Sequence, residues 1–364
     1  MFLALREIKH QPTRFALIIA VITLVAYLTF FLAALADGLA FSFRAAVDNW
    51  DAKNVILTDT SNRNIQASRM TPDMVSDAEK VAGGKDHSAS IVLVPIVLER
   101  QEDGKVTQKS DSYILGLEPG AFISPKVTEG REPTDEKNEV IVNDSLKEDG
   151  WKLNDTVYLS GCKHPFTIVG FTHNNTFQTL PVLYIDQETL LDEAPKELSL
   201  TTNAVVTKSE LSPSDIDALS DKNLDTLTTK KFIETLPGYS AQVLTFSMMI
   251  GALIIIASFV LSIFLYVLTL QKRAVLGILK ARGVPTSYLV RSGAAQSIVL
   301  SAIGVGLGAL LTFLTSFVLP AKMPFMINFG NDVLIALAFI FFSIIGGLMS
   351  VRVVTRIDPV EAIS

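Results

Sequence analysis

The sequence predicts a membrane α-helical protein with four transmembrane helices and an α+β extracytoplasmic domain inserted between the first and second. Three observations lead there. Four long runs carry almost no charge, the short segments between them alternate between basic and not, and residues 41–238 have the composition of a soluble mixed domain. The chain has 364 residues, 49% of them hydrophobic, which is too apolar for an ordinary soluble protein. Its net charge of −6 is uneven, with acidic residues concentrated between Asp48 and Glu234 and basic ones beside the apolar runs. That asymmetry suits a membrane topology and leaves no basic field for nucleic acid.

Residues 1–13 read as an interfacial amphipathic helix, with Phe2, Leu3, Leu5 and Ile8 against Arg6, Glu7, Lys9 and His10, ended at Pro12-Thr13. Residues 14–40 form the first span. Phe15–Ala36 is an apolar run of about 22 residues, enough to cross a hydrocarbon core of about 30 Å. Ala33-Ala34-Leu35-Ala36 resembles a cleavage site, but the run exceeds the about 7–15 residues of a signal-peptide core, which favours an uncleaved span. Arg6, Lys9 and Arg14 place the N-terminus inside.

Within 41–238 the stretches Asn54–Thr58, Ile91–Glu99, Ser112–Leu117, Val140–Asn143, Thr156–Ser160, Phe166–Phe171 and Leu180–Ile185 read as strands, short and rich in β-branched or aromatic residues. Helices are expected at Pro72–Val81, capped by Thr71, and at Pro213–Leu219, behind Ser212. The chain has one cysteine, Cys162, so no internal disulfide forms and stability rests on an ordinary core. Apolar, β-rich surroundings make Cys162 a packed residue rather than a nucleophile.

The membrane returns at 239–270, the second span. Residues 271–291 then carry Lys272, Arg273, Lys280, Arg282 and Arg291, a basic loop of the kind retained in the cytoplasm. Inside it Val275, Leu276, Ile278 and Leu279 fall at helical spacing, Gly283-Val284-Pro285 stops the helix, and Thr286 or Ser287 is placed to cap the next. Residues 292–319 are the third span, 320–331 an external loop with only Lys322 as a basic residue, 332–353 the fourth span, and 354–364 an internal tail with Arg356. Both termini are then cytoplasmic, in the cell membrane. Gly304, Gly306 and Gly308, and Gly346-Gly347 in the last span, read as close-packing positions in lipid.

Some chemistry is missing from the sequence. No acid, base or histidine sits deep in a span, as a proton or ion relay would need. There is no G-x-x-x-x-G-K-[ST] for ATP, no H-E-x-x-H and no G-x-S-x-G, and His10, His87, His164 and His173 are scattered. The chain is therefore expected not to be an enzyme and to hold no intrinsic metal, so uphill movement needs energy from another subunit.

Leu276-Gly277-Ile278-Leu279-Lys280-Ala281-Arg282-Gly283 resembles the coupling-helix signature of the MacB/FtsX class of ABC-transporter permeases, and Arg356–Ile363 resembles that class's C-terminal motif. Leu153–Val157 followed by Phe166–Phe171 is similar to its paired external strands. One departure is Val275, where many members carry Glu, which sets the chain apart from the lipoprotein-releasing and cell-division branches. The N-terminal Phe2–Lys9 and Leu35–Ala40 resemble instead the HrtB/DevC-type branch, whose HrtB members export haem. The resemblance implies two permease copies paired with two ATPase subunits that hold ATP-Mg. It also assigns ATPase coupling to Arg273, Leu276, Gly277, Ile278, Lys280, Ala281 and Gly283, and outward expulsion of a hydrophobic or amphipathic compound, with haem favoured.

A haem site needs an apolar slot, an iron ligand and cations for the propionates. The outer ends of the first two spans offer Phe30, Phe31, Phe41, Phe43 and Arg44, with Tyr239, Phe246, Met248 and Met249. Met249 or Met248 would bind iron, aromatics would stack, and Arg44 would meet a propionate. Packing methionines are the competing reading of that pair, and His164 and His173 are rival ligands that read more simply as surface or hydrogen-bonded histidines. Two other functions compete: efflux of a peptide antibiotic or lipid by the same machinery, and a non-transporting mechanotransmitter that operates a cell-wall hydrolase.

Overall fold

The computed structural model describes residues 12–103, 105–134, 138–162, 164–194, 200–271, 273–320 and 323–355. The expected interfacial helix (apart from its last residues), Lys272, Lys322 and the C-terminal motif at 356–363 lie outside them. The chain divides into a helical unit, Met1–Gly38 with Val243–Ser364, and an inserted unit, Leu39–Gln242.

The first helix, α1, spans Pro12–Asn49. It continues beyond the apolar run because nothing in Leu39–Asn49 breaks it, and an Arg44–Asp48 pair one turn apart at 3.1 Å supports the extension. On this last part Ala46 and Val47, with Trp50 just beyond, are buried in the core of the inserted unit.

The inserted unit is built on an eleven-stranded mixed sheet. Its strands are β1 (Asn54–Thr58), β2 (Ser88–Glu102), β3 (Lys105–Leu117), β4 (Val127–Gly130), β5 (Glu139–Asn143), β6 (Thr156–Leu159), β7 (Phe166–Thr172), β8 (Thr176–Phe177), β9 (Leu180–Asp186), β10 (Ala204–Thr207) and β11 (Leu224–Thr228). Their order is β11-β1-β10-β2-β3-β9-β5-β7-β4, with β6 against β2 and β7, and β8 against β9. β3 and β9 run parallel, as do β5 and β7, and the other pairs are antiparallel. The alternation of side chains explains why β2 and β3 are buried on both faces at their base. Ile91, Leu93, Tyr113 and Leu115 enter one core with Trp50, while Val92 and Ile114 enter another with Trp151 and Phe166.

Helices α2 (Pro72–Val81), α3 (Gln187–Glu193), α4 (Pro213–Ser220) and α5 (Thr229–Thr235) complete this unit. Thr71 accepts from the Met74 backbone N–H, and Ser212 forms a reciprocal capping box with Asp215. All seven expected strands and both expected helices are present, whereas β4, β8, β10, β11, α3 and α5 are additions to the sequence reading.

The helical unit continues with α6 (Tyr239–Gln271), α7 (Arg273–Ala281), α8 (Thr286–Ser316) and α9 (Phe329–Thr355). Among the described residues α1, α6, α8 and α9 are long and apolar enough to cross a membrane. One stripe of α1 (Phe15, Ile18, Ile22, Ala26, Phe30) meets Ile254, Ala257, Leu261 and Leu265 of α6, Leu300 and Val305 of α8, and Phe339 of α9. Gly304 and Gly308 bring α8 onto α1, since a Cβ at 304 would lie 2.5 Å from Ile22 and one at 308 would lie 2.7 Å from Ala26. Gly346 faces Ser258 of α6, and the Ser262 hydroxyl donates to the Gly346 carbonyl at 2.8 Å. Gly306 departs from the expectation: it meets open space, because two residues turn a helix by about 200° and point it away from α1.

Candidate functional site

The loop between α6 and α8 folds as the residues at 271–291 prescribe. Helix α7 ends in a Schellman motif: Gly283 N–H donates to the Lys280 carbonyl at 3.0 Å and Val284 N–H to Leu279 at 3.1 Å. Gly283 sits at φ +85°, where only glycine is unstrained. The accompanying apolar contact is present too, as Leu279 and Val284 pack with Leu289 and Val290 at the start of α8. The expected side-chain cap on α8 is not formed. Thr286 is already helical and Pro285 occupies the capping position without a side-chain bond, because the proline's fixed φ of −60° starts the helix one residue earlier.

With Leu279 committed inward, the neighbouring flank of α7 is left open. Val275 is 58% and Ile278 45% exposed, one turn apart, beside exposed Ala281, Arg282 and Gly283. Gly277 is buried and Lys280 half-buried. The backbones of Arg273 and Leu276 belong to α7, and their side chains lie outside the described residues. This is a short apolar ridge with cationic flanks, pinned through a rigid cap to a long helix. It suits a docking contact and holds no reactive group.

The residues expected to line a ligand site fall on two elements. Phe41, Phe43 and Arg44 lie on the extension of α1, all half-buried. Phe43 is brought to Tyr239, at the start of α6, with ring centroids 6.2 Å apart. Arg44 donates to Asp48 at 3.1 Å, so its charge is already partnered. Phe246 is half-buried on α6, and Met248 and Met249 are 67% and 47% exposed there, their directions about 100° apart on the helix. Phe30 is buried in the bundle, while Phe31 meets Phe325 with tilted rings, centroids 5.4 Å apart.

That last contact belongs to a feature missed in the sequence. The connection from α8 to α9 is tied along α1. Met326 N–H donates to the Ala34 carbonyl at 3.0 Å, Gly38 abuts the Pro324 backbone, and Asn331 donates to both Asp37 oxygens at 3.0 and 3.1 Å. Gly38 inside a helix and the Met-Pro-Phe-Met run were the available signals.

The two histidines held as rival ligands are hydrogen-bonded to acids. His164 Nδ1 lies 2.9 Å from Glu193 and His173 Nδ1 2.5 Å from Asp144. Cys162 packs against the core around Trp151, and burial followed by the nearby Glu193 charge pushes its thiol up to about 11, which makes it unreactive. Among the described residues no three His, Cys, Asp or Glu gather as a metal site.

No family profile matches the chain. Along its whole length the chain is similar to hemin transport system permease proteins of the HrtB type. A hemin transport system permease protein HrtB from Staphylococcus haemolyticus is 26% identical over 364 residues, all of this chain and 99% of that one. One from Staphylococcus epidermidis is 28% identical with the same coverage. Among solved structures, the periplasmic region of MacB from Actinobacillus actinomycetemcomitans matches at 16% identity and TM-score 0.37, over 51% of this chain and 92% of that one. The extracellular domain of the ABC-type transporter YknZ matches at 15% identity and TM-score 0.34, over 48% and 99%.

Proposed function

We propose that this chain is the permease subunit of an ATP-driven efflux transporter that expels a hydrophobic or amphipathic compound, with haem as the cargo, outward from the membrane. The observation that carries the reading is the end-to-end similarity to hemin transport permeases, joined to a capped helix α7 that presents Val275 and Ile278 outward. Two copies of the chain pair with two copies of a separate ATPase. Its closure on ATP-Mg pushes on Arg273, Leu276, Gly277, Ile278, Lys280, Ala281 and Gly283. Both termini and α7 face the cytoplasm and the inserted domain faces outside, consistent with Lys and Arg beside α7.

The cargo enters at the domain-side ends of α1 and α6. Met249 or Met248 ligates iron, and their divergence on the helix means that one of them serves a given haem. Phe41, Phe43, Tyr239 and Phe246 supply apolar and aromatic surface. Arg44 meets a propionate only by sharing or leaving Asp48.

The test is titration of the purified permease–ATPase complex with haem, reading the Soret band and ATP turnover for the wild type, Met248→Ala and Met249→Ala. Saturable binding that changes turnover and loses its spectral signature in one methionine variant is the expected result. An unchanged spectrum with unchanged turnover removes haem and leaves a permease for a peptide or lipid, or a mechanotransmitter.

A further inference from the structure

The turn between β8 and β9 violates its own local chemistry. Gln178 and Thr179 form a two-residue hairpin loop with φ of +48° and +71°. Such loops call for Asn-Gly, because both central residues take left-handed backbone. A β-branched threonine there is a genuine outlier, and strain of this kind persists only where surrounding contacts over-determine it.

Those contacts run to the extension of α1. Gln178 N–H donates to the Phe43 carbonyl at 3.0 Å, and Thr179 N–H to the Ser42 carbonyl at 3.1 Å. The Gln178 side chain closes the other side, its Oε1 accepting from Tyr113 Oη at 2.9 Å and Gln66 Nε2 at 3.3 Å. Its Nε2 is buried with no hydrogen-bond partner, a further cost borne at this position. One turn and more along the same helix, Asn49 Nδ2 donates to the Asn174 carbonyl at 2.8 Å and to Asn175 Oδ1 at 3.3 Å. Asn175 Oδ1 also accepts from buried Tyr184. Residues 174–179 thus grip α1 at two places, both by polar contacts that a merely apolar packing face would not need.

We propose that the Gln178–Thr179 turn is a latch that locks the end of the first long helix to the sheet, with Gln178 as its positioning residue. The latch makes helix residues 42–49 and strands β8–β9 one body, so displacement of the helix is delivered to the sheet without slip. Asn-Gly would relieve the backbone, but its amide, one methylene shorter, would draw back from Tyr113 and Gln66. This inference is independent of the cargo.

Hydrogen exchange on the full-length permease with its ATPase in lipid nanodiscs tests it. Gln178→Ala is expected to speed exchange at residues 43–49 and 176–182 by ten-fold or more, with β1, β10 and β11 unchanged. A Ser42→Cys/Thr179→Cys cross-link, added to that variant in a Cys162→Ser background, restores slow exchange. Wild-type exchange at 43–49 in Gln178→Ala, or uniform acceleration across all strands, would overturn the latch. If Gln178→Ala does not fold, Thr179→Gly decides: it accepts φ +71° while keeping both backbone bonds, so exchange at 43–49 stays at the wild-type rate or slower. Faster exchange there overturns the proposal.

Discussion

Replacing Gly308 by alanine tests whether α8 and α1 pack as closely as the structure has them. The new Cβ would lie 2.7 Å from the Ala26 Cβ, 2.7 Å from the Tyr27 backbone nitrogen and 3.0 Å from the Ala26 carbonyl carbon. Two of these three neighbours are backbone, which no rotamer change can move, so the helices must separate by roughly 1 Å to reach ordinary contact. Separation also stretches the Thr312 hydroxyl bond to the Tyr27 carbonyl, already 3.4 Å, and the 3.2 Å contact between Tyr27 and Thr315. Overpacking of a tight contact costs about 1–3 kcal/mol, and backbone obstruction puts this case at the upper end.

Gly306→Ala on the same helix is the internal control. It meets nothing within 4 Å, so it receives the same gain in helix propensity, about 0.8–1 kcal/mol, without a clash. The difference between the two variants therefore isolates packing, and about 2–3 kcal/mol is expected. Reversible unfolding of the purified protein in mixed micelles, followed by the loss of helical far-ultraviolet circular dichroism, measures it. Equal stabilities, or a Gly306 variant less stable than the Gly308 one, would refute the placement of α8 against α1.

Two further outcomes follow from the site and the inserted domain. Val275→Asp and Ile278→Asp put a charge on the exposed ridge of α7 without touching Leu279 or Val284, so each is expected to weaken ATPase association ten-fold or more with an unchanged melting profile; co-purification from membranes measures it. Glu139 accepts from both terminal nitrogens of Arg131, one at 2.8 Å, and from Thr134 N–H at 2.7 Å, which hold its carboxyl well below the usual range, at about 2. Because the folded value lies below the unfolded one, near 4.5, its contribution of about 2–3 kcal/mol is complete above that pH and disappears as pH falls toward 2. Glu139→Gln should flatten this part of the stability profile between pH 5 and 2 in denaturant titrations.

The elements most legible in the sequence are those whose boundaries are written in neighbouring side chains. Helix α2 begins where Thr71 and Pro72 require, and β1 coincides with Asn54–Thr58. Strand β10 was missed because Ala204–Thr207 is too short to show a period and is defined by β1 and β2, more than a hundred residues upstream. Helix α3 did leave a signal, Asp186 capping Thr189 N–H at 2.8 Å, which the apolar strand before it obscured. The α1 extension was unreadable for a different reason: apolarity marks where a span needs lipid, whereas helix continuity needs only the absence of a breaker. The end of α7 was legible because its stop at Gly283 is local chemistry. Whether Met248 shares a site with Phe41 depends on tertiary placement, which spacing along the chain does not encode.

An insertion as large as Leu39–Gln242 between two consecutive helices needs an explanation, since an unconstrained segment of that length would impose its disorder on both. The ends of the insertion supply one. Trp50, just past α1, stacks on Phe232 with centroids 6.3 Å apart, and Phe43 meets Tyr239 at 6.2 Å. Ala52 and Lys53 carbonyls accept from the Thr229 hydroxyl and backbone N–H at 2.5 and 2.9 Å. Entry and exit are therefore tied together by the same core that the sheet builds, which is the geometry that lets one domain interrupt another. The chain has no disulfide to close this junction, so aromatic stacking and two backbone carbonyls do it. That places Trp50 and Phe232, rather than any residue at the tip of the β2–β3 hairpin, where truncation would loosen the closure of the inserted unit's own ends.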